Sequence, residues 1–202
     1  YQIYQDIYND SVWLNNLVEN LLYATRIEEG RMVLNTSTEL LADVIDDAVR
    51  HVKQHSGEHS IFVESDDEYI LVTADARLIV QVIINIVDNA VRYTPPGSHI
   101  TIRSCSENNM AVVYIEDNGN GISDEDKEHV FDKFYSGTNR IADNRRSIGL
   151  GLYLCKAIIE AHGGTITVRD NNPAGAVFVF TLPLADLSLI HISEPTRLGM
   201  IS

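Results

Sequence analysis

Gly149 and Gly151 are one residue apart and open a run, Leu152 onward, that reads as a helix reaching His162. Glycines at a helix start leave backbone amides uncovered, and the helix dipole adds positive potential there. The chemistry on offer is the binding of a phosphate or a similar anion. A second bare stretch, Asp117-Asn118-Gly119-Asn120-Gly121-Ile122, follows an apolar strand. A plain hairpin needs one glycine. Two of them, spaced by one residue behind a strand-end aspartate, keep backbone open to close approach by a ligand. The third group is Asn85 and Asn89, in line with Gln81, Asp88 and Arg92 at spacings of three or four. Asparagine is a poor helix former because its side chain competes for backbone hydrogen bonds. Two on one face call for a reason, either solvation and bonds to a neighbouring element or a shared site.

These groups need elements to carry them. Residues 75–94 are predicted as a helix, N-capped by Asp75 and ended by Pro95-Pro96-Gly97. Leu78, Ile79, Val82, Ile83, Ile86, Val87, Ala90 and Val91 form its core-facing stripe, with Gln81 and Asp88 read as solvated neighbours of the asparagines. Residues 99–105 and 110–116 read as a hairpin across Glu107-Asn108-Asn109, delivering Asp117 to its glycine turn. A short helix over 123–130 precedes Phe131-Asp132-Lys133-Phe134-Tyr135. Residues 136–148 are polar, carry Arg140, Arg145 and Arg146, and have the length of a functional loop. Gly163-Gly164 caps the helix that Gly149 opens, and residues 165–169 and 176–182 close the chain as a hairpin around Asn171-Asn172-Pro173-Ala174-Gly175.

Upstream, residues 3–29 read as one helix, because Ile7, Leu14 and Leu21 recur every seven residues with Leu17 and Ala24 at the other seam position. Its stripe calls for a copy of itself or a neighbouring helix. A short strand is expected at 32–34, then a capping box, Thr36-Ser37-Thr38-Glu39, opening a helix to about Gln54 with Leu40, Leu41, Val44, Ile45, Ala48, Val49 and Val52 inward. Two strands follow at 60–64 and 69–73, around Ser65-Asp66-Asp67-Glu68. His51, His55 and His59 are four apart, but Gly57 breaks the helix and no acidic partner is evident, so they read as solvated rather than metal-binding.

Composition bounds the function. In 202 residues, 45% hydrophobic and 22% charged, there is enough apolar side chain to bury a core in one domain with an appendage, or in two small ones. A net charge of −14 argues against gripping nucleic acid or an anionic membrane surface, while leaving room for a small anion in a local positive site. Cys105 and Cys155 show neither metal spacing nor a pairing pattern, so a reducing intracellular setting is expected. No apolar run reaches the length of a bilayer span and no signal peptide opens the chain, so the chain is expected to be soluble, with any membrane segment in a longer parent.

The common nucleotide motifs are missing: no third glycine completes a dinucleotide fingerprint and no Gly-Lys-Ser/Thr makes a P-loop. Yet Asn85-x-x-x-Asn89-x-x-Arg92-Tyr93, Asp117-x-Gly119-x-Gly121, Phe131-x-x-Phe134 and Gly149-x-Gly151-Leu152, in that order, resemble the N, G1, F and G2 boxes of the sensor histidine kinases over residues 31–183. The phrases AVRYTPPGS and GLGLYLCKAIIEAHGG agree. WLNNLVENLLYATRIEEGRM and Asn172-Pro173-Ala174-Gly175-Ala176 look most like the KdpD type of potassium and osmotic sensor.

The resemblance implies an α+β Bergerat (GHKL) fold, a two-layer α/β sandwich whose mixed sheet carries helices on one face, with ATP between helices and a lid. It divides the chain into residues 1–30, the second helix of a truncated dimerisation hairpin, residues 31–184, the catalytic ATP-binding domain, and residues 185–202, ADLSLIHISEPTRLGMIS, a tail that resembles an appendage and is left out of the fold. Carried over by residue, Asn89 ligates Mg²⁺ with Asn85 beside it at the metal and phosphates, a role suited to a hard, neutral carboxamide oxygen. Arg92 stands near the phosphates, Tyr93 borders the adenine, and Asp117 accepts the adenine amino proton. Gly119 and Gly121 let base and lid approach. Gly149 and Gly151 face the phosphates, with Lys133, Arg145 or Arg146 reaching them from the lid. Ile122, Phe131, Phe134, Leu150 and Leu152 complete the nucleotide-binding set. The implied reaction transfers the ATP γ-phosphate to a histidine, for relay to an aspartate on a response-regulator receiver domain. The implied parent is a homodimer through the hairpin, anchored in the bacterial inner membrane with this domain in the cytoplasm.

Two departures stand out. Asn120 replaces the proline common in the G1 box. None of the seven histidines (51, 55, 59, 99, 129, 162 and 191) is followed by the acidic-apolar-basic-Thr-Pro pattern of a phosphoacceptor, so the chain resembles the catalytic end of a longer kinase. Two alternatives remain. A conformational ATPase of the gyrase or heat-shock chaperone kind would need a glutamate where Asn85 stands, and a carboxamide is no base. A non-catalytic nucleotide-binding or dimerisation module would need no turnover at all.

Overall fold

A computed structural model describes residues 33–65, 67, 69–135 and 149–186, preceded by Tyr4, Ser11, Leu14, Val18, 20–26 and 29–30. The elements in order are β1 (Ser37–Leu40), α1 (Leu41–Lys53), β2 (Ser60–Ser65), β3 (Leu71–Ala74), α2 (Ala76–Tyr93), β4 (His99–Glu107), β5 (Met110–Asp117), α3 (Asp124–His129), α4 (Gly151–Ala161), β6 (Ile166–Asp170) and β7 (Ala176–Pro183). Five strands form one sheet in the order β2-β4-β5-β7-β6. Only β2 and β4 are parallel. This is the mixed sheet of an α+β fold.

Alternation builds its two faces. Ile100 and Ile102 of β4, Ala111, Val113 and Ile115 of β5, and Phe178 and Phe180 of β7 are buried beneath the helices. Arg103, Tyr114 and Arg169 stand on the other face, where the two guanidiniums lie 5.7 and 5.5 Å from the Tyr114 ring centroid. α2 presents the predicted stripe: Leu78, Ile79, Val82, Ile83, Ile86, Val87 and Ala90 are buried, and α1 and α4 pack against it. The β4–β5 hairpin turns at Asn108 and Asn109, whose φ values of 49° and 64° are those of a two-residue type I′ connection. At the end of α4, Gly163 N–H bonds Glu160 O and Gly164 N–H bonds Ile159 O, the paired bonds of a glycine-terminated helix.

The start of the domain differs from expectation. Residues 37–40 are not a capping box but strand β1, paired antiparallel with β3 from Ser37↔Ala74 to Leu40↔Leu71. Ser37 Oγ donates to Glu39 Oε1 at 2.5 Å instead of capping a helix, and α1 starts at Leu41 with no side-chain cap. The backbone of this stretch finds its partners across the ladder, which a local pattern does not reveal. Val33 is 87% exposed and in no strand, so the predicted strand at 32–34 is absent over its described residues. The strands flanking the acidic turn also part: β2 joins the large sheet and β3 the small one. The small sheet is tied to β7 through the Val72–Leu184 bridge and by Ala185 N–H donating to Leu71 O at 2.8 Å, one residue beyond the predicted domain end.

Residues 20–26 are helical and lie against the domain, with Ala24 buried and Tyr23 packed on the core. Leu14, Val18, Leu21 and Leu22 stay about half exposed. Among the described residues no helix is long and apolar enough to cross a membrane.

Candidate functional site

Asp117 ends β5 and is 8% exposed. Its Oδ1 accepts the backbone N–H of Gly119 at 2.9 Å and of Ala176 at 3.2 Å, while Oδ2 accepts nothing among the described residues. Burial raises its pKa, and the two backbone donors pull the other way. The turn that follows is pressed from two sides. A Cβ on Gly119 would stand 2.5 Å from Thr94 Cγ2, at the end of α2. Gly121 has φ 74°, and a Cβ there would lie 3.0 Å from Gly175 O. Asn171 supports the same turn, its Nδ2 donating to Asp117 O at 2.7 Å.

Across from this turn, the polar line of α2 meets the start of α4. A Cβ on Gly151 would lie 3.9 Å from Asn85 Cγ. Asn85 Oδ1 accepts from Gln81 Nε2 at 3.0 Å, so Gln81 is a bonded partner and not the solvated neighbour expected. Asn85 Nδ2 is buried without a partner among the described residues. Asn89 is half-buried one turn further on, and Arg92 and Tyr93 are exposed at the end of the helix. α4 begins with Leu150 as an N-cap that makes no side-chain bond. The first-turn amides of a helix have no intrahelical acceptor, so this is a place for an anion.

Phe134 and Gly149 tie the F and G2 boxes together: Phe134 N–H donates to Gly149 O at 2.9 Å. Gly149 has φ 70°, and a Cβ there would stand 2.6 Å from Phe134 C, so only glycine fits. Phe131 sets its edge on the Phe178 ring, 6.3 Å between centroids, and packs on the sheet. Ile122 and Leu152 pack on the core, Leu150 is buried, and Lys133 Nζ lies 5.0 Å from the Phe134 centroid. Arg145 and Arg146, with all of residues 136–148, lie outside the described residues.

Residues 74–186 match the family described as histidine kinase-, DNA gyrase B- and HSP90-like ATPase. The chain belongs to that ATPase family. It is 39% identical over 182 residues to the sensor protein KdpD of Clostridium acetobutylicum, a match covering 90% of this chain. The chain spans 20% of that relative's length. The catalytic domain of the histidine kinase ThkA superposes with a TM-score of 0.63 at 29% identity, covering 74% of this chain and 96% of that one. ThkA in complex with the response regulator protein TrrA gives a TM-score of 0.67 at 28% identity, covering 85% of this chain and 49% of that one. The chain is thus an ATPase domain of the sensor-kinase type, similar to that of KdpD, and membership in this family implies use of ATP.

Within this ATPase domain the structure brings Asn85, Gly151, Phe134 and Gly149 into one neighbourhood, and Asp117, Gly119, Gly121 and Thr94 into another. Three supporting residues escaped the sequence reading. Gln81 stood on the right line, and its spacing of four from Asn85 was the available signal. Asn171 and Gly175 gave no local hint, because they meet Asp117 across more than fifty residues. His59, expected to be solvated, is half-buried and bonds Thr94 Oγ1 through Nε2 at 3.0 Å, while His51 and His55 are exposed.

Proposed function

We propose that this domain transfers the γ-phosphate of ATP to a histidine supplied by another part of a sensor histidine kinase, for relay to a response-regulator aspartate. The observation that carries the proposal is the meeting of Asn85 with the glycine start of α4. A buried amide without a partner faces a helix N-terminus without a cap. In the reaction a ring nitrogen of the acceptor imidazole forms the new bond to the γ-phosphorus as the bond to the ADP oxygen breaks. Catalysis of such a transfer is mostly positioning and charge neutralisation. Asp117 Oδ2 accepts the adenine amino proton, Tyr93 borders the base, Arg92 and Lys133 face the phosphates, and the α4 amides hold them. Arg145 or Arg146 completes the set from the lid.

Mg²⁺ fits the donor set through the carboxamide oxygen of Asn89, which is hard and neutral, with Asn85 beside it at the metal and phosphates. When bound it supplies positive charge to the phosphate oxygens. The carboxamide at Asn85 also separates this reading from a hydrolytic ATPase, since it cannot take a proton from water. The partners follow: a second copy through the hairpin, and a receiver domain, as ThkA has in TrrA. The parent is a membrane-anchored kinase with this domain in the cytoplasm and an input of the potassium or osmotic kind.

The test mixes the chain with a separate hairpin bearing a phosphoacceptor histidine and Mg-ATP. Acid-labile phosphate on the hairpin is expected. ATP binding without transfer would overturn the kinase reading and leave a nucleotide-binding module.

A further inference from the structure

Gln81 occupies an unusual place on α2. One side of it lines a cleft with Leu22, Tyr23, Arg26 and Arg77, where the N-terminal helical stretch lies against the domain. Its Nε2 donates to Asn85 Oδ1 at 3.0 Å. Asn85 therefore has one carboxamide atom engaged and the other, Nδ2, buried and unbonded among the described residues. Across the interface the Asn85 amide lies within reach of the Cys155 thiol, and this contact opposes the rise in thiol pKa that burial causes. A thiol is a weak acceptor in any case. A carboxamide with no bonded neighbour is free to exchange its oxygen and nitrogen by rotation about its last bond. A donor fixed on one side removes that freedom.

We infer that Gln81 is a positioning residue of the phosphotransfer site: its donated hydrogen bond decides which group of Asn85 the first turn of α4 and the ATP phosphates meet. This rests on the kinase reading above, and it concerns a residue that contacts no reacting atom. Leucine at position 81 fills similar space and makes no hydrogen bond. Glutamate offers only acceptors, so Asn85 would have to reverse and present its oxygen where Nδ2 now lies.

The experiment titrates the full chain with Mg-ATP, with ATP in EDTA and with adenosine, in wild type, Gln81→Leu, Gln81→Glu, Asn85→Ala and the Gln81→Leu/Asn85→Ala double variant. Gln81→Leu should weaken Mg-ATP about fivefold, one hydrogen bond's worth, with adenosine affinity unchanged. Gln81→Glu should weaken it at least as much. In the Asn85→Ala background Gln81→Leu should change nothing further, since the residue it positions has gone. Equal losses for adenosine and Mg-ATP, additive losses in the double variant, or wild-type behaviour of Gln81→Glu would each overturn the positioning role while leaving the kinase reading intact. A wild-type chain that binds no ATP would overturn both.

Discussion

Gly175 and Asp117 meet through bare backbone. A Cβ on Gly175 would run into the Asp117 carbonyl group, whose carbon would lie 2.7 Å away. The β6–β7 connection is thereby seated on the turn that presents the Asp117 carboxylate, and the bond from Asn171 Nδ2 holds it there. Gly175 also has φ 116°, which side chains rarely adopt. Gly175→Ala is expected to cost about 1–3 kcal/mol in urea denaturation from backbone strain alone. It should weaken adenosine binding too, because the carboxylate moves with its turn. A variant as stable as wild type would show that the two turns are not in contact in solution.

Burial opposes the charged form of Asp117 and raises its pKa, against the pull of two backbone donors. A carboxyl whose folded pKa is raised above its unfolded value opposes folding at neutral pH, and the opposition fades as pH falls through the folded value. Asp117→Asn keeps an oxygen for the N–H groups of Gly119 and Ala176 but no charge. The variant without nucleotide should melt at or above wild type at pH 7, with the difference closing in acid. Its ATP affinity should drop about tenfold or more, the worth of a hydrogen bond to a charged group. Calorimetry on both proteins reads both effects.

Asn89→Ala isolates the metal assignment. Adenosine should bind as to wild type, whereas the gain in ATP affinity on adding Mg²⁺ should shrink at least about tenfold. An unchanged magnesium increment would move the metal to another residue.

The two cysteines should separate cleanly under iodoacetamide. Cys155 is fully buried between α4 and α2, and burial pushes its thiol up to about 12. Cys105 is half-exposed on β4, and neither residue is in a disulfide. Only a thiolate reacts, so Cys155 should be alkylated at least about 100-fold more slowly at pH 8 in the native chain, and at a comparable rate in urea. Mass spectrometry of the digested protein distinguishes the sites. Early labelling of Cys155 would mean that the α2–α4 interface opens readily.

Much of this was legible in residue order because the signals are local. The α2 stripe, the Asn108–Asn109 turn, the Asp75 cap and the Gly163-Gly164 terminator each depend on neighbours within one or two turns. The four boxes were legible as well, since each is a short phrase. Pairing was not. Ser37–Leu40 carries every mark of a helix start and becomes a strand because β3 offers it a ladder. Nothing near Ser60 indicates that β2 will run parallel to β4. The same limit hid the second ring of the site, since the contacts of Asn171 and Gly175 with Asp117 exist only once β7 has paired with β5.

The bond from Phe134 to Gly149 has a consequence for how such a domain can vary. It holds Phe134 and Gly149 together, so the length of chain between these two positions bears little on the sheet and helices below. Doubling a loop of this kind costs only about 0.6 kcal/mol. Between these two positions, therefore, this architecture leaves room for insertion, deletion and new charge. Chain length can change there while Asn85, Asp117 and Gly151 keep their places.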